Sequence, residues 1–185
     1  MPTPPIRIAR TLATITDPDY YWSGYSPNQA AIVIGNNAYT TNGGHLVVYD
    51  LLHQKVAWGL AISATGQIST DGNELFVIAG GALSVRDPQN GHLLWSWVPS
   101  ATGSVTTNII VTDSHVIAGD GTNTYLVNRK AHKTDKIFAA SGMMAYTAQT
   151  LVAVDAQRMA HAFTVHTDEL FGADFEDCWQ SRNKP

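Results

Sequence analysis

The chain has a single cysteine, Cys178, so it cannot close a disulfide on itself, and a disulfide-stapled framework is excluded. Charge is sparse as well: Asp, Glu, Lys and Arg make up 14% of the 185 residues, against 44% hydrophobic ones. Whole-chain disorder needs the opposite balance, so the chain should fold, and its length favours one core over two. No apolar run approaches the roughly 20 residues that cross a bilayer as a helix. Basic residues form no stripe that could neutralise phosphates, which leaves nucleic-acid binding without support. The formal net charge of -4 sits largely in the last twenty residues, with Asp168, Glu169, Asp174, Glu176 and Asp177. The start, MPTPPIRIARTLATITDPDYYW, carries Arg7 and Arg10 without a continuous apolar stretch after them, so it does not read as a secretory signal.

Patterns that would carry chemistry are missing too. The histidines stand at 45, 53, 92, 115, 132, 161 and 166, with no HxxxH, HxH or Cys-His cluster to hold a metal. TDGNE at 70–74 and GDGTN at 119–123 offer only one or two carboxylates each. Calcium needs six to eight oxygen ligands, so both read as β-turns. No GxSxG elbow appears, and no Ser, His and Asp can be singled out as a triad. PQNG at 88–91, TNGG at 41–44 and DGTN at 120–123 lack the length and Lys of a phosphate loop and read as hairpin turns. No metal or cofactor is expected.

What the chain does have is a repeat. Laid down without gaps from Asn36, Asn73, Ser114 and Gln149, it places apolar pairs two and three positions on: Ala38-Tyr39, Leu75-Phe76, Val116-Ile117 and Leu151-Val152. Seven positions on stand Gly43, Gly80, Gly121 and Ala156, small residues suited to tight turns. HLVVYD, ALSVRD, NTYLVN and RMAHAF follow, ending at Asp50, Asp87, Asn128 and Phe163. Each copy therefore reads as strand, turn, strand, and no helical stripe competes. VAWGLAI and HLLWSWV supply third strands to the first two copies. A second register, placing Ala153, Asp155, Met159 and Phe163 on the Asp-to-Trp spacing, would shorten the last interval, and the 35-residue interval is preferred.

Asp50, Gln54 and Trp58 are four apart, as are Asp87, Gly91 and Trp95, with Val48 and Val85 two places ahead; Leu126, Asn128, His132 and Lys136 keep the spacing without the Trp. This pattern resembles the tryptophan-docking motif of the PQQ-like (quinoprotein) β-propeller repeat, carried here by Val48, Asp50, Trp58, Val85, Asp87, Gly91 and Trp95. The resemblance covers roughly residues 30–165 and extends to Gly103–His132. It implies an all-β partial propeller, PQQ-like or WD40-like, of about four four-stranded antiparallel blades, with the indoles between blades. An indole supplies a broad flat surface, and a blade cannot bury both faces alone. Asp50 and Asp87 at strand ends suit hydrogen bonds to turn amides. Hairpins are expected at about 32–50, 69–87, 110–128 and 145–163. Residues 1–29 read as an extension or cap and 166–185 as an acidic tail.

Propellers of this kind usually have seven or eight blades, so the chain looks like the C-terminal half of a larger ring whose first blade offers an uncovered face and edge. The alternative is a compact closure, or a cap formed by YYWSGY at 20–25. The resemblance implies a non-catalytic binding or scaffolding module, of the cell envelope or secreted, with a protein partner or the missing half of the propeller at the exposed blade edge. The other reading is a fragment of a quinoprotein dehydrogenase, but catalytic members carry adjacent cysteines, impossible here. In the tail, ELFGADFED resembles the proteobacterial "IFADGFE" ending through Leu170, Phe171, Phe175 and Glu176; it reads as a packed or disordered tail or as a surface-attachment signal.

Overall fold

The computed structural model describes residues 31–100, 103–147 and 149–165. The extension or cap at 1–29, the YYWSGY segment and the acidic tail lie outside the described residues. The described residues hold strands and turns, with no helix.

They form four separate antiparallel sheets, each a meander in chain order. The first contains β1 (Ile32–Ile34), β2 (Asn37–Asn42), β3 (His45–Asp50) and β4 (Lys55–Ala61). The second contains β5 (Ala64–Thr70), β6 (Leu75–Ala79), β7 (Ala82–Arg86) and β8 (Leu93–Trp97). The third contains β9 (Ile110–Val111), β10 (His115–Gly119), β11 (Thr124–Asn128) and β12 (Lys133–Phe138). The fourth has three described strands, β13 (Met143–Thr147), β14 (Thr150–Val154) and β15 (Ala160–Thr164).

The apolar pairs that define the repeat all fall on the second strand of a sheet, namely β2, β6, β10 and β14. Consecutive residues of a strand face opposite ways, so each pair serves two layers. Leu75 and Val77 face the first sheet, joining Tyr39, Leu46 and Val48. Phe76 and Ile78 face the third, joining Val116, Ala118 and Val127. Ile117 faces the fourth sheet and meets Leu151 and Ala153. Three layers thus bind four sheets, and the two central sheets are covered on both sides.

Two details differ from the expected layout. VAWGLAI and HLLWSWV form the fourth strands, β4 and β8, because each sheet begins with a strand that the repeat spacing leaves out. In the fourth copy the gapless register slips by one residue. The repeat-origin carbonyls of Asn36, Ser114 and Gln149 accept the N–H groups of Leu51, Arg129 and Val165. The Asp50 position therefore falls on Thr164, one past the expected Phe163, since the turn from Asp155 to Met159 is longer. Asp155 closes that turn between second and third strands, so it does not occupy the Asp50 position of the alternative register.

Candidate functional site

The docking-motif residues lie at the junctions between sheets. Val48 pairs across the strands with Trp58, Val85 with Trp95, and Leu126 with Lys136. A bulge follows each of these three positions, between Val48 and Tyr49, Val85 and Arg86, and Leu126 and Val127. Val48 and Val85 are buried. The turn after each third strand is tied by its polar residue. Asp50 accepts the N–H groups of Leu52 and His53, Asp87 that of Gln89, and Asn128 those of Lys130 and Ala131. The residue four places on takes a left-handed conformation: Gln54 at φ 55°, Gly91 at 72° and His132 at 55°.

These turns receive the indoles of the preceding sheets. A β-carbon added to Gly91 would lie 2.9 Å from Cζ3 of Trp58 and 2.5 Å from Cδ1 of Leu60. The Trp58 ring therefore rests on the Gly91 backbone, and it also meets Tyr39 edge-on at 6.3 Å. One sheet further on, the Trp95 ring is stacked against His132 at 4.6 Å. Trp97 adds an edge contact with Tyr125 at 5.2 Å, and its Nε1–H donates to Thr134 Oγ1 at 3.1 Å. The third sheet has Lys136 where the first two have an indole; there Phe138 meets Phe163 at 4.9 Å.

Polar clamps that no spacing in the sequence announces join the same sheets. Arg129 bridges Asp71 and Glu74, lies 5.3 Å over the Phe76 ring, and donates to the carbonyl of Thr112. Burial pushes the Asp71 carboxyl up, but the N–H groups of Glu74 and Asn73, together with Arg129, outweigh it and hold the group below its ordinary value. Asn108 pairs with the Met144 backbone at both ends of its amide, at 2.9 and 2.8 Å.

A Ser-His-Asp chain exists that sequence reasoning did not single out. His115 Nδ1 lies 2.8 Å from Ser114 Oγ, and its Nε2 lies 2.9 Å from Asp135 Oδ2. In a hydrolase triad the serine faces Nε2 and the acid faces Nδ1, the reverse of this order. The His115 side chain is 4% exposed, and Asn128 also donates to Asp135. In the turns once compared with calcium loops, Asp71 Oδ1 accepts from Asn73 and Glu74, and Asp120 Oδ1 from Thr122 and Asn123. Two open cavities of about 390 and 440 Å³ lie along the sheet junctions, sharing Thr106, Thr107 and Met143.

The largest departure from this pattern of covered sheets is at the fourth. Cross-strand register puts Met143, Val154 and Ala160 in one row, Ala145, Val152 and Ala162 in the next, and Thr147, Thr150 and Thr164 in the third. None of these nine side chains is charged. Met143 is 62% exposed and Val154 43%, and Ala145, Thr147 and Thr150 are exposed as well. Val152, half-buried at the centre of this face, holds the place of Tyr39, Phe76 and Ile117, which are all buried against a following sheet. At the other end of the series, Thr40, Asn42 and Val47 on the outward face of the first sheet are buried.

No protein-family profile and no curated protein sequence matches the chain. Solved structures do resemble it in fold. BamB from Moraxella catarrhalis superposes with a TM-score of 0.61 at 15% identity, over 72% of this chain and 44% of that one. The computationally designed Ika4 protein gives 0.64 at 12% identity, over 82% of this chain and 100% of that one. The designed Ika8 protein gives 0.61 at 12% identity, over 81% of this chain and 50% of that one. The chain thus spans about half the length of BamB and Ika8 and the full length of Ika4. At such identities the likeness carries the fold alone, and that fold is an all-β arc of β-propeller blades.

Proposed function

We propose that the chain is a non-catalytic PQQ-like propeller module that works by binding or scaffolding, at the cell envelope or after secretion. The observation that carries this reading is the uncharged, exposed outer face of the fourth blade. Proteins protect exposed β-structure with charge, and an exposed apolar patch without it marks an interaction surface. The motif residues Val48, Asp50, Trp58, Val85, Asp87, Gly91 and Trp95 serve blade docking in this reading and carry no chemistry. The likeness to BamB supports the propeller fold on which this reading rests. The assignment to envelope or secretion rests on the sequence resemblance.

The reading of the chain as a fragment of a quinoprotein dehydrogenase is less well supported. A fold shared with enzymes does not transfer their activity. The buried His115, with serine on Nδ1 and acid on Nε2, fits a pin between strands better than a general base. Titration of the purified protein with pyrroloquinoline quinone and calcium, followed by a dye-linked alcohol oxidation assay, tests the choice. The expected result is no saturable binding and no oxidation above a blank. Saturable binding with turnover would replace the scaffold reading by the enzyme one.

A further inference from the structure

The exposed face of the fourth blade has an identifiable occupant. We propose that it is the interface of a homodimer, in which the fourth blades of two copies meet face to face about a two-fold axis. This inference rests on the binding-module reading and names the partner for that surface.

Three observations lead there. The face continues an interface the chain has already built three times, since Val152 holds the place of Tyr39, Phe76 and Ile117. A β-sheet face is therefore the kind of surface it fits. The nine outward side chains include no charge, so two copies of this face meet without like-charge repulsion, and two-fold contacts are by nature self-complementary. A head-to-tail ring is disfavoured, because it would need the outward face of the first blade, where Thr40, Asn42 and Val47 are buried within one chain. Sheets stacked face to face align within about 30°, which places Ala145 and Val152, at the centre of the face, near the axis. The face is small for a stable interface, so affinity in the micromolar range is expected.

Sedimentation of the full chain over a concentration series from about 1 to 200 µM tests the proposal, with Met143→Glu and Val154→Glu as disrupting variants and Leu52→Glu as a control. Leu52 is 66% exposed on a turn of the first blade. The expected outcome is twice the chain mass for wild type and Leu52→Glu, and one chain mass for the two disrupting variants. Both mutated side chains are exposed in a single chain, so unchanged circular dichroism should show that folding is intact. In a Cys178→Ser background, Ala145→Cys should yield a disulfide-linked dimer under mild oxidation. A wild type that stays monomeric to 200 µM, or a dimer unaffected by both charged variants, overturns the homodimer. The quinone and calcium titration separates this failure from that of the scaffold reading: a monomer without oxidation loses the occupant and keeps the module, whereas turnover removes both.

Discussion

The indole of Trp95 lies parallel to the imidazole of His132, with ring centres 4.6 Å apart and planes 10° from coincidence. One blade earlier, Trp58 rests at the equivalent turn position on Gly91, which has no side chain to stack. The same junction is thus built in two ways, by close backbone approach and by ring stacking. Trp95 is 8% exposed and sits in the layer formed by the second and third sheets. Trp95→Ala should therefore cost roughly 3–5 kcal/mol. The midpoint of chemical unfolding measures it, and an unchanged midpoint would remove the docking role.

Gly91→Ala tests the other form of the junction. The new methyl would meet Trp58 and Leu60, and φ of 72° is a left-handed angle that side chains disfavour. Strain and crowding together should destabilise by roughly 2–4 kcal/mol. His132→Gly separates the two effects: it relieves the same backbone angle but deletes the stack, so a large loss there would assign the junction energy to the ring contact.

The repeat was legible because its signal lies in the second strands, where Leu75-Phe76 and Val116-Ile117 must be apolar on both sides to fill two layers. The first strands carried no such signal. ATGQIST of β5 is interrupted by Gly66 at φ 70°, and β9 is two residues long. Docking residues such as Trp58 and Gly91 could be read from regular spacing. Arg129 with Asp71 and Asn108 with Met144 could not, since their partners are brought together by blade stacking across irregular separations.

Asn108 holds the third blade to the fourth by imitating a strand partner for Met144. Asn108→Ala leaves a backbone N–H and carbonyl without their partner and should cost roughly 1–3 kcal/mol. Limited proteolysis should then cut the fourth blade faster than the second. Equal cleavage rates in variant and wild type would count against a clamp.

Acid should loosen the junction held by Arg129. The Asp71 carboxyl is depressed in the folded chain. A depressed carboxyl contributes stability above its unfolded value, near 3.9, and loses that contribution as pH falls through the folded value. Urea midpoints measured from pH 6 down to pH 2.5 should fall most steeply below about pH 4. Asp71→Asn should lower the neutral-pH midpoint and flatten the acid limb; an unaltered limb would show that other carboxylates govern it.

Because each blade is a local meander while every apolar layer is shared between neighbours, amide protons should not exchange uniformly along the chain. The central meanders, insulated from solvent on either side, should retain their hydrogens longest, with β6, β7, β10 and β11 slowest. At concentrations where the chain is monomeric, the last meander, insulated on one side, should fray first, so the molecule opens progressively from that end.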